Sequence, residues 1–580
     1  MGWPWEFATL SVAEKHERRR VLDRYGTYAQ LSAFVPLLVI LVIRFGRFVF
    51  RRIATRKVAY DVVPTSPVAK CARLSTAGSW GTIGRRVAWW LGDDVEFAGQ
   101  NWGRRDQLVF GAGWAVWLLF LCVVGTGSDY FHLTKRFGII ATSQFPIQYI
   151  LALKSINPVA FAFRSSHEQI NRWHRVLGWI TYVLLCFHGL LYINYYIQAG
   201  ILGEKLLARI VIIGVVSLLG MTLMTTTAFA VIRQYSYRLF FVTHLVVALA
   251  LPPAIFFHVS HARVYMVESL LVFIVDLAVK KSGTVTAETA VEMIPGTNLI
   301  KLVAKVPPLK AGQFKDHAAS HIYMSIPPSA RPSSNPASLA HMQFEFMFNP
   351  FTVAAVDEVS GEITLIARQL KGPVSQTLAR FANVGPDSKM PICLEGPYGI
   401  SKHFTTSIAT SFDRVLLFTG GVGATFIMPI YQYLNENSAA HVDMIWAVRE
   451  AGEATWPVTG TEKSIIDDDN ISLYLTGSMF DSFDGNGGAG TSSSSSRESE
   501  GVELSHMYKD RQGGKHTSMH SRKRPDLQKI VHDAFMRGQE ERVAVLVCGP
   551  EAMGRELRRY VGVWVNKGRY VWWHNESFSW

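Results

Sequence analysis

The sequence predicts a multi-domain membrane protein: an α-helical transmembrane domain, then a small β-barrel, then an α/β doubly wound domain. Three observations predict it. The first is a polarity gradient: 49% of the 580 residues are hydrophobic and mean hydropathy is +0.15, yet the long apolar runs stop near residue 280 and an alternating, punctuated pattern follows. The second is an equal spacing of histidines within the apolar half, His174 with His188 and His244 with His258. The third is a buried-strand pattern that runs into a glycine-rich turn and then a helical pattern over residues 414–430.

Seven apolar stretches are candidates to cross a bilayer, near 31–50, 108–127, 137–155, 174–198, 209–232, 239–260 and 263–279, against the roughly 20 residues a helical span needs. The first holds Arg44 and Arg47 and reads either as a span or as an interfacial helix. Lysine and arginine in short loops collect on the cytoplasmic side. The segment 51–107 carries ten of them, from Arg51 and Arg52 to Arg104 and Arg105, so it is expected in the cytoplasm. The loops holding Arg164 with Arg172, and Arg233 with Arg238, follow, as do Lys280 and Lys281 after the last span. Everything beyond residue 280 is then cytoplasmic, and seven spans put the N-terminus outside, although Arg18, Arg19 and Arg20 argue the other way. The first apolar run starts too late and is too long for a signal peptide. The organisation expected is 1–107 for the N-terminal region with its basic loop, 108–281 for the transmembrane domain, 284–405 for the barrel and 412–580 for the α/β domain.

A fourteen-residue step is about four helical turns, which returns a side chain to within roughly 40° of the same face after about 21 Å. Each of the two helices therefore offers one imidazole near each side of the bilayer core. Ionisable groups there are expensive, and paired axial ligation of two haems stacked across the membrane supplies a reason for all four. The two spans run in the same direction, so His174 is expected to face His244 near the inner leaflet and His188 to face His258 near the outer one. With both axial positions filled, such haems suit electron transfer. Gly178 and Gly189 either let a porphyrin approach or serve helix packing. His261 reads as a surface residue and His167 as a loop residue. The net charge of +13 is accounted for by membrane-facing loops and dinucleotide sites, with no nucleic acid invoked. Cys71, Cys122, Cys186, Cys393 and Cys548 lack metal-ligand spacing and make no disulfide framework.

In the polar half, residues 284–400 read as short strands separated by Gly and Pro turns. Asn349-Pro350-Phe351-Thr352 follows an alternating strand. Lys371-Gly372-Pro373-Val374-Ser375-Gln376-Thr377-Leu378 reads as a helix start whose amides can hold a pyrophosphate, or as a plain turn. The buried strand Arg414 to Thr419 enters Gly420-Gly421-Val422-Gly423-Ala424-Thr425, a dinucleotide cradle. A second strand, His441 to Val448, ends in Arg449, either a partner for a 2′-phosphate or a solvated residue. A third, Val543 to Val547, ends in Cys548-Gly549-Pro550. The stretch 480–527, with its glycines and the Ser492 to Ser496 run, is expected to be a disordered cytoplasmic loop.

Together these residues carry a resemblance. From about residue 100 to the end the chain resembles the fungal ferric-chelate reductases, of the flavocytochrome b type, in the superfamily that also holds the NADPH oxidases. The ordered motifs are the paired histidines, Pro350-Phe351-Thr352, Glu395-Gly396-Pro397-Tyr398-Gly399, the GGVGAT turn, Cys548-Gly549-Pro550 and the terminal Glu576-Ser577-Phe578-Ser579-Trp580. The resemblance implies a ferredoxin-NADP reductase-like pair of FAD-binding and NADPH-binding domains behind a domain with two b-type haems. It implies that Phe351 and Thr352 contact FAD, with Asn349, Pro350, Lys371, Gly372, Ser375, Gln376 and Thr377 around them. Gly420 to Thr425 and Cys548 to Pro550 would bind NADPH, and Phe578 or Trp580 would cover the flavin ring, Trp580 being assigned to the FAD site and Phe578 to the NADPH site. The family's flavin motif begins with histidine where this chain has Asn349, which keeps hydrogen-bonding capacity and loses the aromatic face. Weaker or exchangeable flavin is therefore expected. Ala311-Gly312-Gln313 and His321-Ile322-Tyr323-Met324 are separated by an apparent insertion.

The activity implied is electron transfer from cytoplasmic NADPH through FAD and the two haems to ferric chelates or siderophores outside, with copper as a second metal. Iron uptake, the plasma or the vacuolar membrane, and an iron or copper permease downstream go with it. Two alternatives stay open. One is an NADPH oxidase, against which the connection at Ser260 to Arg263 is short; the other is a haem-binding scaffold with a decayed flavin site, prompted by Asn349.

Overall fold

The computed structural model describes residues 5–54, 76–97, 100–333, 335, 338–385, 389–399, 401–457, 468–477, 524–538 and 541–576. The chain forms two compact units. One comprises Met1–Val285, Asn335–Phe348 and Cys393–Ile400; the other comprises Thr286–Ser334, Asn349–Ile392 and Ser401–Trp580.

The first unit is a helical bundle: α1 (Val12–Ser32), α2 (Val35–Ala54), α3 (Thr76–Leu91), α4 (Arg105–Val123), α5 (Tyr130–Ser143), α6 (Phe145–Ala152), α7 (Pro158–Phe163), α8 (His167–Gln198), α9 (Leu202–Leu206), α10 (Arg209–Thr227), α11 (Ala230–Tyr235), α12 (Tyr237–His258) and α13 (Arg263–Gly283), with a small hairpin, β1 (Asp94–Phe97) and β2 (Gln100–Arg104). Polar caps start the helices where the sequence turns apolar. Ser11 and Glu14 form a capping box on α1, and Asp129, Ser166 and Ser236 accept amide hydrogens at the starts of α5, α8 and α12. These caps satisfy donors that the helix leaves open.

Among the described residues five helical stretches are long and apolar enough to cross a membrane: Val12–Phe50, Arg105–Val123, His167–Gln198, Arg209–Thr227 and Tyr237–His258. The protein is thus a multi-pass membrane protein. Two of the seven expected spans differ from the sequence reading. The stretch at 137–155 is two helices, α5 and α6, that part at Gln144. The stretch at 263–279 is one helix, α13, but Glu268 and Asp276 lower its apolarity. His167 is the first residue of α8 and not a loop residue, because the Ser166 hydroxyl accepts from the Gln169 amide and starts the helix there. His261 lies in the short turn between α12 and α13, its Nδ1 2.7 Å from Asp23 Oδ1.

The second unit holds most of a closed barrel in the order β3-β4-β7-β6-β5-β8, built from β3 (Val285–Met293), β4 (Leu299–Lys305), β5 (His321–Ser325), β6 (Asn349–Asp357), β7 (Glu362–Arg368) and β8 (Lys389–Tyr398). Between its strands in the chain come α14 (Pro308–Asp316), α15 (Leu339–Met342), which belongs to the first unit, and α16 (Pro373–Ala382). Ala311-Gly312-Gln313 lies inside α14, which runs on into the apparent insertion before His321, where the sequence pattern suggested only strands and turns. Next comes α17 (Ser401–Ser411), then a five-stranded sheet of β9 (Arg414–Gly420), β10 (His441–Val448), β11 (Ile471–Leu475), β12 (Val543–Cys548) and β13 (Val571–Glu576), with α18 (Ala424–Asn437), α19 (Leu527–Arg537) and α20 (Glu551–Asn566).

All four strand pairings are parallel, in the order β11-β10-β9-β12-β13. A parallel sheet covered on both faces buries its strands completely. Val415, Leu417 and Phe418 of β9, and every residue of β12, are accordingly fully buried. The chain leaves β9 for β10 on one side and returns to β12 on the other. Their C-terminal ends therefore flank the topological switch point, where doubly wound sheets bind ligands. Of the expected disordered stretch 480–527, residues 480–523 lie outside the described residues. Its last residues are ordered, with Asp526 capping α19.

Candidate functional site

The four histidines sit on two helices, His174 and His188 on α8, His244 and His258 on α12. The structure brings the rings of His174 and His244 together, centroids 6.0 Å apart and planes tilted by 56°. A metal ion lies about 2 Å from an imidazole nitrogen, so two imidazoles sharing one ion hold their centroids roughly 6 Å apart. His188 and His258 lie fourteen residues further along the same two helices.

What orients these rings is invisible in the α8 and α12 sequences. His188 Nδ1–H donates to the Thr134 carbonyl at 2.8 Å, His258 Nδ1–H to the Ile210 carbonyl at 2.8 Å and His174 Nδ1–H to the Gln148 carbonyl at 3.0 Å. A proton held on Nδ1 leaves the lone pair on Nε2, the tautomer that metal-ligating histidines use. The His244 Nδ1 is buried without a partner among the described residues.

Two of these sites are built alike. Thr134 and Gly138 on α5, and Ile210 and Gly214 on α10, are each four residues apart on one helix face. The first member of each pair accepts the imidazole proton and the glycine admits the ring. A Cβ on Gly138 would stand 2.8 Å from His188 Cε1, and one on Gly214 2.7 Å from His258 Cε1. By contrast, Gly178 faces Gln148 and Gly189 faces Leu218, which makes them packing glycines. Of the two readings the sequence left open for Gly178 and Gly189, these contacts favour helix packing. The signal for Gly138 and Gly214 was a glycine in each of two neighbouring helices that no turn required.

In the second unit the structure joins two motifs that lie 130 residues apart. A Cβ on Gly420 would meet Pro550 Cδ at 2.9 Å, one on Gly549 would meet the Gly420 nitrogen at 3.1 Å, and one on Gly423 would meet the Cys548 carbonyl oxygen at 2.3 Å. Gly421 has φ +54°, and Val422 with Gly423 completes a short 3-10 turn before Ala424 and Thr425 open α18. The turn is thus a backbone-lined cradle between β9 and β12. Arg449 is exposed at the C-terminal end of β10.

Sequence reasoning missed what braces the turn. Trp446 Nε1–H donates to the Gly421 carbonyl at 3.2 Å. Glu453, 3% exposed, pairs with Arg368 at 2.9 Å and accepts the Arg449 amide at 3.1 Å. Arg368 also stands 3.1 Å from where a Gly421 Cβ would be. It ends β7, so this ion pair ties the barrel to the nucleotide-type fold.

Asn349, Pro350, Phe351 and Thr352 open β6 and pair with Met324, Tyr323, Ile322 and His321 of β5. Thr352 is buried, and the other three are half-buried. Gly372 precedes α16, with Pro373 at its first position. Lys371 and Gln376 are exposed. The Ser375 hydroxyl donates to the Leu370 carbonyl and that of Thr377 to the Pro373 carbonyl, so both serve the loop and helix themselves. Phe578 and Trp580 lie outside the described residues.

Burial pushes the Cys548 thiol well above its ordinary range. The neutral thiol then stabilises the fold fully below the unfolded thiol's pKa of about 8.5, and the contribution is lost as pH rises towards the folded value. Cys548→Ala is expected to flatten the decline in thermal stability between pH 8 and 10. A decline as steep as that of the parent protein would refute this.

Residues 137–270 match the family described as the ferric reductase like transmembrane component, and residues 412–562 match the one described as the ferric reductase NAD binding domain. The chain is 22% identical over 349 residues to ferric reductase transmembrane component 1 of Schizosaccharomyces pombe, covering 55% of this chain and 60% of that one. It is 21% identical over 483 residues to ferric/cupric reductase transmembrane component 2 of the same yeast, covering 77% and 80%. The match to ferric/cupric reductase transmembrane component 2 of Saccharomyces cerevisiae, 23% identical, covers 60% of this chain and 47% of the relative. The chain thus spans less than two thirds of the length of some of these relatives. A ferredoxin NADP+ reductase from Neisseria gonorrhoeae aligns in structure with 50% of this chain and 98% of its own, at 11% identity and a TM-score of 0.30. With a membrane bundle matching the one family model, a switch-point sheet matching the other and yeast relatives along much of its length, the chain is similar to the fungal ferric reductases.

Proposed function

We propose that this protein is an NADPH-dependent transmembrane ferric-chelate reductase, with the plasma membrane as its site and the vacuolar membrane as the alternative. Electrons enter from cytoplasmic NADPH and leave to Fe(III) chelates or siderophores on the other side, with Cu(II) as a second substrate and an iron or copper permease as the consumer of the reduced metal. The observation that carries the reading is the set of four histidines on α8 and α12, with His174 opposed to His244 and three of the four Nδ1 protons committed to backbone carbonyls. These residues fit two b-type haems, His174 with His244 and His188 with His258. Bound at these residues, flavin would supply the change from hydride to single-electron chemistry and the haems a path for single electrons.

The chain's own residues supply the positioning. Thr134, Gln148 and Ile210 hold three of the imidazoles in the ligating tautomer and fix the orientation of their rings. The Gly420–Gly423 turn lets backbone amides reach the nucleotide's phosphates at the start of α18. Asn349 to Thr352 and the Lys371–Thr377 loop are the FAD-binding segments of this reading, and Phe578 and Trp580 its aromatic cover. Arg449 takes the 2′-phosphate. Arg449→Ala is expected to raise KM for NADPH about tenfold, the scale of one charge-assisted hydrogen bond, with little change for NADH. Equal effects on both nucleotides would remove Arg449 from this role.

The deciding experiment is NADPH-driven reduction of a ferric chelate by membranes carrying the protein, run without oxygen and, in parallel, aerobically with superoxide dismutase. Reduction that persists without oxygen and ignores the dismutase is expected. If it vanishes without oxygen, superoxide was the carrier and the chain is an oxidase.

A further inference from the structure

The end of the bundle at which α4 finishes and α5 begins carries an excess of positive charge that the electron path just described does not use. Arg18 of α1 pairs with Asp129 at 2.9 Å, and the two side chains are only 12% and 13% exposed. The same carboxylate accepts the amides of Phe131 and His132, so Asp129 is already committed. Lys135, half-buried on α5, has Lys15, Arg18 and Arg19 as its cationic neighbours and Asp129 as its anionic one. Lys135 therefore has three cationic neighbours and one carboxylate neighbour, and that carboxylate is already paired with Arg18. Among the described residues, the Lys135 ammonium makes neither an ion pair nor a hydrogen bond. Arg136 beside it is spoken for, its guanidinium 3.6 Å over the Tyr25 ring and donating to the Leu121 carbonyl at 3.0 Å.

This charge adjoins His188. His188 Nδ1–H donates at 2.8 Å to the carbonyl of Thr134, the residue before Lys135 in α5. Tyr192 stands edge-on to the His188 ring at 5.1 Å and is itself within reach of Arg18. An ammonium left half-buried without an anion is costly unless a ligand supplies one. Lys15 and Arg19 are exposed and can meet a ligand arriving from solvent.

We propose that Lys135, with Lys15 and Arg19, binds the carboxylates of an anionic, polycarboxylate ferric chelate beside the outer histidine pair. The proposal rests on the reductase reading and its orientation, and names the substrate class for that same outlet. The step it serves is a one-electron transfer from the outer haem, Fe(III) to Fe(II), with no bond made or broken in the protein.

Carboxylates at this place have two sources, the chelate and the propionates of a haem, and the test separates them. The full-length protein in lipid nanodiscs is assayed with ferric citrate and with a neutral ferric trihydroxamate. Lys135→Gln and Lys135→Arg are compared with the parent, and the haem midpoint potentials are measured for each. Lys135→Gln is expected to lower the ratio of kcat/KM for citrate over the neutral chelate about tenfold, with arginine restoring it, and the parent's KM for citrate is expected to rise with salt. A matched loss on both chelates with a shifted midpoint potential would assign the lysine to a propionate and overturn the proposal, as would an unaltered ratio. If the parent reduces neither chelate, the reductase reading itself has failed.

Discussion

His244→Ala is expected to leave the purified protein with one haem fewer per chain and to lower NADPH-driven ferric reduction across the membrane at least about a hundredfold, because a broken relay offers no second route. Its ring stands 6.0 Å from that of His174. Removing either should therefore erase the same low-spin spectral component. Removing His188 or His258 should erase the other. Reduction of a soluble dye at the flavin should continue in all four variants, since the second unit keeps its own core. His261→Ala is the control: its contact is with Asp23, so both haems should stay. Two haems retained in His244→Ala would mean that the ligands lie elsewhere. Because Gly138 and Gly214 admit the rings of His188 and His258, bulk at either glycine should imitate loss of the outer pair.

Gly423→Ala is expected to abolish productive NADPH binding. The new Cβ would stand 2.3 Å from the Cys548 carbonyl oxygen and 2.8 Å from its carbonyl carbon. Both are backbone atoms of a fully buried central strand that cannot yield as a side chain would. Overpacking of this kind costs about 1–3 kcal/mol or more. That is enough to open the contact between the glycine turn and the Cys548–Pro550 segment. NADPH oxidation should fall at least about a hundredfold with the haem spectrum intact. Gly312→Ala, where a Cβ meets nothing within 4 Å, should be neutral for binding. NADPH binding retained in Gly423→Ala, measured by protein fluorescence, would show that the turn is not the phosphate cradle.

The legible part of the molecule was the part that local periodicity encodes. Fourteen-residue spacing places two imidazoles on one helix face whatever surrounds that helix. An uninterrupted apolar run such as Val415 to Phe418, ending in glycines, specifies a buried strand and its turn, and β9, β10 and β12 lie where the pattern put them. Composition alone likewise separates an apolar half from a polar one. Strands β11 and β13 escaped notice because one is short and half-buried and the other carries Trp572, Trp573 and His574 in place of an aliphatic run.

Tertiary structure decided everything that depends on a neighbour. Periodicity says which way a histidine points along its own helix, not which carbonyl on another helix takes its proton, so Thr134, Gln148 and Ile210 could not be chosen from the sequence. Gly178 and Gly189 look as suitable as Gly138 and Gly214 until the helices are packed. The crossing of the chain from β10 and β11 back to β12 sets Pro550 against Gly420, and the fold alone brings Arg368 to Glu453. Local pattern determines the elements and their exposed faces. Which faces meet is settled by close packing and by the need to satisfy each buried donor.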